Sequence, residues 1–123
     1  MELIFGGAYQ GKLDYVKDNY EYKTICDCSD GKTPDFDADV IYGIEGFVMA
    51  CVKAGTEARE SFEKNESLWQ DKVLVMTDAS QGVVPIDKDV RAFREMNGRL
   101  MLYLASKADK VTRVFCGIGK RLK

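Results

Sequence analysis

The chain has 123 residues, a net charge of −2, and 46% hydrophobic against 31% charged residues, a balance that suits one folded domain over 1–123 and excludes a disordered chain. The mild acidity gives no general attraction to nucleic acid; no apolar run approaches the roughly 18 residues of a membrane span; and Leu3–Phe5 is too short for a signal-peptide core. Histidine is absent, which removes a catalytic histidine, a Ser-His-Asp triad, a Cys-His pair and histidine-ligated metal. A cytoplasmic protein whose four cysteines are reduced is expected.

Glu2–Phe5 reads as a first strand, apolar and closed by Gly6-Gly7. Lys12 to Asn19 or Tyr20 reads as a helix with Leu13, Val16 and Tyr20 on one face. Tyr22–Cys28 has the composition of a second strand, Ser29–Asp37 is a loop punctuated by Gly31 and Pro34, and Asp39–Tyr42 is a short third strand ending at Gly43. From Glu45 to about Lys64 the period becomes helical, with Phe47, Val48, Cys51, Val52, Gly55, Ala58 and Phe62 on one face. Gly55 weakens that helix by about 1 kcal/mol relative to alanine, so a bend or a close packing is expected there. Lys72–Thr77 is a fourth, buried strand, and Asp78–Ile86 is a loop containing Gly82 and Pro85. Asp87 caps a helix running to about Lys107, whose stripe is Val90, Phe93, Asn97, Leu100, Met101 and Leu104. Lys110–Cys116 is a fifth strand, after which Gly117–Lys123 runs on without a predicted element.

Strands alternating with helices predict an α/β fold with a mostly parallel sheet, and ligands in such folds sit at the carboxyl ends of strands. Those ends carry Gly6–Lys12, Cys26–Ser29, Gly43–Glu45, Asp78–Pro85 and Gly117–Lys120. The first has the spacing of a phosphate-binding loop, G-x-x-x-x-G-K, over Gly6, Gly7, Ala8, Tyr9, Gln10, Gly11 and Lys12. Glycines let backbone N–H groups turn inward around a phosphate, the helix N-terminus adds positive potential, and the lysine adds a charge. Leu13 stands where a Ser or Thr hydroxyl would hold Mg²⁺.

Lys12 reads as a phosphate ligand or as a solvated lysine at a helix start. Asp78 reads as a metal ligand or base, or as a turn aspartate. Glu45 reads as a displaced metal ligand, or as a first-turn glutamate favoured by the helix dipole. Cys26-x-Cys28 reads as two soft-metal ligands or as buried thiols. Arg91 and Arg94 either meet phosphate from another subunit or form a charged outer helix face.

Read together, the two ends of the chain resemble the bifunctional adenosylcobinamide kinase / adenosylcobinamide-phosphate guanylyltransferase family of cobalamin biosynthesis. The opening Gly6–Lys12 looks like that family's loop. The series Val73-Leu74-Val75, Gly82-Val83-Val84-Pro85, Arg91-Ala92-Phe93-Arg94, Gly98-Arg99-Leu100, Ala108-Asp109-Lys110-Val111, Gly117 and Arg121-Leu122-Lys123 follows its order and spacing. The resemblance implies a P-loop NTPase-like three-layer sandwich, a nucleotide (ATP or GTP) held by Gly6–Leu13, Mg²⁺, cobinamide as substrate, a homo-oligomer, and catalytic roles for Lys12 and Asp78. The departures are chemical. The family's guanylylated histidine has no counterpart, the loop serine aligns with Leu13, and the aspartate ending the third strand aligns with Gly43, with Glu45 two residues on. The two outcomes to distinguish are a shortened kinase-like enzyme, with Asp78 or Glu45 serving the metal, and a non-catalytic nucleotide- or anion-binding relative that acts through assembly or sensing.

Overall fold

The computed structural model describes residues 1–79 and 87–123; the loop expected around Gly82 and Pro85 lies outside them. The elements are β1 (Glu2–Gly6), α1 (Lys12–Asn19), β2 (Ile25–Asp27), β3 (Val40–Tyr42), α2 (Ile44–Ala54), α3 (Ala58–Lys64), α4 (Glu66–Trp69), β4 (Val73–Thr77), α5 (Lys88–Lys107), β5 (Lys110–Phe115) and β6 (Ile118–Arg121). They build one six-stranded sheet in the order β2-β3-β4-β1-β5-β6, parallel except for the β5–β6 pair. Helices lie on both sides, which is the three-layer arrangement of P-loop folds.

Strand β1 sits between β4 and β5, with Leu3 opposite Leu74 on one side and Val111 on the other. Its alternation sends Leu3 to one face and Ile4 to the other, and both are fully buried. On one face Ile4, Val75 and Val114 meet Val16 of α1, rimmed by Tyr15, Tyr20 and Tyr42. On the other, Leu3, Ile41, Leu74 and Met76 meet α2, α3 and α5. Trp69 and Phe62 are the largest buried side chains there, and the Trp69 indole N–H donates to the Phe62 carbonyl at 2.8 Å, so a large apolar ring is buried with its polar atom satisfied.

Three boundaries differ from expectation, each for a local reason. The helix expected over Glu45–Lys64 ends at Gly55, which takes φ 74°. The Gly55 and Thr56 N–H groups return to the Val52 and Cys51 carbonyls, a Schellman closure, and α3 then continues the same apolar face with Ala58 and Phe62. Nothing lies within 4 Å of where a Gly55 Cβ would be, so the glycine supplies a backbone angle and no close packing. Strand β2 is shorter than Tyr22–Cys28 because the Lys23 and Thr24 N–H groups donate to the Asp39 carboxylate instead of a ladder. The segment from Gly117 onward turns back: Cys116 (φ 52°) and Gly117 (φ 75°) form a two-residue hairpin turn that leads into the antiparallel edge strand β6. The expected cap on α5 is present, with the Asp87 carboxylate accepting from the Asp89 and Val90 N–H groups.

Candidate functional site

The opening loop leaves β1 under close constraint. A Cβ on Gly6 would lie 2.3 Å from the Val114 carbonyl oxygen, so the tight approach of β1 to β5 admits glycine alone. Tyr9 and Gly11 turn the chain through left-handed φ values of 59° and 85°. Among the described non-glycine residues, positive φ occurs at Tyr9 and Cys116 alone, and these two turns adjoin. The Gln10 carbonyl accepts from the Gly117 N–H and the Gln10 side-chain oxygen accepts from the Cys116 N–H, both at 2.8 Å. Strained backbone persists only where surroundings fix it, and here the loop and the hairpin turn fix each other. Tyr9 and Ala8 are exposed, and Leu13 is half-buried in the first turn of α1.

Helix α1 begins at Lys12, and its N-cap, Gly11, has no side chain to satisfy the first-turn N–H groups. Those donors stay directed at the loop, as an anion-binding helix start requires. Lys12 is only 5% exposed, and its ammonium donates to the Gly7 carbonyl at 2.7 Å. Burial lowers the Lys12 pKa below its ordinary value of 10.5, while the nearby Glu45 carboxylate pulls the other way. A phosphate arriving at this loop would meet an ammonium whose present partners are one carbonyl and the field of one carboxylate.

Glu45, in the first turn of α2, reaches across to β4 and accepts the Thr77 N–H at 2.9 Å. The Thr77 carbonyl in turn accepts from the Asn97 side-chain N–H₂ of α5 at 2.9 Å. The next residue, Asp78, donates its backbone N–H to the Gly6 carbonyl at 2.7 Å, which places Asp78 directly beside the loop. The structure therefore gathers Gly6–Leu13, Glu45 and Asp78 at one strand end. It leaves Arg91 exposed in the first turn of α5 and Arg94 half-buried one turn on. The sequence puts Asn97 on the stripe of α5 and gives it no role of its own. Its signal was a lone amide on an otherwise apolar stripe, and only the fold shows that it closes the end of β4.

The metal question turns on Gly43. It takes φ 68°, and a Cβ there would fall 2.7 Å from the Ser29 nitrogen and 2.9 Å from the Asp27 carboxylate oxygen. The Asp27–Ser29 turn, closed by Asp27 accepting the Ser29 N–H at 2.9 Å, occupies the place of a side chain at the end of β3. Leu13 offers no side-chain oxygen, Gly43 has no side chain, and one Glu45 oxygen accepts the Thr77 N–H, which leaves the carboxylates of Glu45 and Asp78 as the side chains that would hold an octahedral Mg²⁺. No group of three or more Cys, Asp or Glu side chains among the described residues is placed to hold a metal ion. Tyr42 registers the same crowding of charge. Burial first, then Glu45, Asp27 and Asp14, raise its pKa.

The thiols at the end of β2 are buried, with Cys26 and Cys28 Sγ 3.7 Å apart. Burial, followed by the Cys26 neighbour, pushes Cys28 up to about 12. No third Cys, Asp or Glu among the described residues joins the two thiols in a group that could hold a metal ion, so this pair packs as buried thiols.

A family model described as cobinamide kinase / cobinamide phosphate guanyltransferase matches residues 42–122. The bifunctional adenosylcobalamin biosynthesis protein CobU of Salmonella typhimurium is 41% identical over 51 residues, which are 42% of this chain and 28% of that protein. The chain thus aligns with less than a third of that relative's length. Glu45, Asp78 and Asn97 fall inside the matched span, and Gly6–Leu13 precedes it.

Proposed function

The chain belongs to the cobinamide kinase / cobinamide phosphate guanyltransferase family, and from that premise we propose that it is a nucleotide- or anion-binding protein of cobalamin biosynthesis. Phosphates lie in the Gly6–Leu13 loop, cradled by backbone N–H groups and by Lys12. The observation that carries this reading is the buried Lys12 ammonium, held on the Gly7 carbonyl at the uncapped start of α1. An incoming phosphate replaces that carbonyl and receives a charge-assisted hydrogen bond in its place. Guanylyl transfer through a histidine is closed to this chain, which has none.

Calorimetric titration with ATP and with GTP, each with and without Mg²⁺, tests the reading. Binding that survives chelation and is lost in Lys12→Ala supports it; no heat with either nucleotide refutes it.

A second reading, phosphoryl transfer to a cobinamide hydroxyl, is favoured by Asp78, which its backbone bond to Gly6 sets beside the loop. Phosphoryl transfer depends on positioning and on neutralising the phosphates, mostly by metal, and Leu13 and Gly43 remove two supports of that kind. Incubation with ATP or GTP, Mg²⁺ and cobinamide at high protein concentration separates the readings by the presence or absence of phosphorylated product.

Self-assembly is part of the proposal. Leu102, Phe115, Ile118 and Leu122 are exposed large apolar side chains, and three of them lie on or beside the edge strand β6, where apolar surface favours a partner. Sedimentation velocity distinguishes a monomer from a homo-oligomer. The location proposed is the cytoplasm. The free thiols Cys26, Cys28, Cys51 and Cys116 agree with a reducing compartment, and no helix among the described residues is long and apolar enough to cross a membrane.

A further inference from the structure

Strand β6 pairs with β5 on one side, and no described strand lies on its other side. Across the pair Arg113 faces Lys120 and Phe115 faces Ile118. One step further along, the Leu122 N–H donates to the Val111 carbonyl at 2.8 Å. In an antiparallel ladder every second residue bonds the neighbouring strand, and the residues between turn their N–H and C=O groups away from it. With Leu122 bonded to β5, the backbone groups of Gly119 and Arg121 point to the open side. Such an edge is a template for one more strand.

The side chains along this edge say what kind of strand it suits. Arg113, Phe115, Ile118 and Lys120 line one open hollow of about 410 Å³, so the four share a face. Ile118 is 73% and Phe115 61% exposed. Like charges directly opposite across strands are destabilising, yet neither Arg113 nor Lys120 enters an ion pair among the described residues. The charge is local: residues 110–123 hold Lys110, Arg113, Lys120, Arg121 and Lys123 and no Asp or Glu, in a chain whose net charge is −2. Charged side chains on an edge commonly turn other strands away. Flanked by exposed Phe115, Ile118 and Leu122, these cations instead select by charge. A second copy offering its own β6 would set Lys120 and Arg121 against the same cations, so the self-assembly proposed above does not run through paired β6 strands.

We infer that β6 docks an extended acidic segment of a different protein, which adds to the sheet as a seventh strand. Along β6 the face reads apolar, cationic, apolar at Ile118, Lys120 and Leu122. The complementary strand carries an apolar, an acidic and an apolar side chain at every second residue, a pattern that reads the same in either strand direction. Backbone hydrogen bonds to Gly119 and Arg121 hold it, and its carboxylate sits between Arg113 and Lys120.

The probe that tests this is the amidated peptide Thr-Val-Thr-Glu-Thr-Val-Thr with an N-terminal fluorescein, titrated with the full chain and read by anisotropy. Saturable binding at one site per chain is expected. The same peptide with Lys in place of Glu is expected to bind about fivefold more weakly. N-methylation of the Glu and of the two Thr beside it removes backbone donors on both edges and is expected to cost about tenfold. Lys120→Glu is expected to reverse the preference, binding the Lys peptide better than the Glu peptide. Its melting temperature stays at or above that of the parent chain, because Arg113 then faces an opposite charge. Four results overturn the proposal: no saturable binding, equal affinity for the Glu and Lys peptides, unchanged affinity after N-methylation, or a folded Lys120→Glu that keeps the parent's preference. A parent chain that sediments as an oligomer beside a monomeric Lys120→Glu also overturns it, by showing that a second copy occupies β6.

Discussion

Two strand ends in this sheet turn through left-handed glycines into helix starts, and they have opposite uses. After β1, Gly11 (φ 85°) has only the Gly117 backbone near it, with the closest atom 3.2 Å from a Cβ position. The helix start that follows has no side-chain cap, and the buried Lys12 ammonium folds back onto the Gly7 carbonyl. After β3, Gly43 (φ 68°) is filled against by the chain's own Asp27–Ser29 turn, as close as 2.7 Å. The same backbone angle thus starts a helix with no side-chain cap at one end and a turn packed shut by the chain itself at the other. A left-handed glycine by itself says nothing about function; the atoms that occupy the missing side chain's place decide it.

The largest effect is expected from forcing a carboxylate onto the end of β3. Gly43→Asp meets both the left-handed angle and the Ser29 backbone, and is expected to cost about 3–5 kcal/mol. Urea denaturation measures it, and a loss below about 1 kcal/mol would show that the Asp27–Ser29 turn gives way readily. Next in size is Glu45→Ala, which strands the Thr77 N–H at the end of β4. A loss of about 1–3 kcal/mol is expected by the same measurement, whereas Glu45→Gln keeps an acceptor and recovers most of it.

Lys12→Met tests the open end. It removes a charge that burial disfavours, so a gain of about 1 kcal/mol at pH 7 is expected, together with at least a tenfold loss of nucleotide affinity. The pH dependence has a definite sign. The Lys12 pKa is lower in the folded chain than the unfolded value of 10.5, so the unfolded chain binds more protons between the two values, and stability rises with pH there. The stability is full above 10.5 and is lost as pH falls through the folded value, so the deficit of the parent chain against Lys12→Met narrows towards high pH. Paired thermal melts between pH 7 and 10.5 check this, and a constant difference would contradict it. The smallest effect is expected at Gly55, which shares the left-handed angle but has open space around it. Gly55→Ala is expected to cost only about 1 kcal/mol; a cost like that at Gly43 would mean the angle, not the crowding, sets the scale.

The alternation of strands and helices was legible because β1 and β4 are short apolar runs and α5 keeps an apolar stripe with Asp87 at its head. The loop at Gly6–Lys12 was legible because its spacing is set by local backbone geometry. Strand β6 was not. Its side chains are mostly exposed, Gly119 interrupts it, and the turn depends on Cys116 accepting a left-handed angle that sequence does not favour. Nor was the helix end at Gly55, where one glycine reads equally as a kink or a stop until the Thr56 N–H is seen to close on Cys51. The candidate site was half legible. Lys12, Glu45 and Asp78 were named for their places after strands. The role of Asn97 and the filling of Gly43 depend on residues 20 and 14 positions or more away, which no local pattern reports.

The seating of the β5–β6 turn on the opening loop has a consequence for how the molecule comes into being. Gln10 is held by the N–H groups of Cys116 and Gly117, a closure spanning 106 residues. Contacts so distant in sequence form only after the intervening chain is arranged. During synthesis the loop exists as a sequence long before it exists as a shape, and a ribosome-bound chain that has not yet exposed residue 117 holds no finished cradle. The shape of the loop therefore arrives late and all at once, as a property of the assembled sheet.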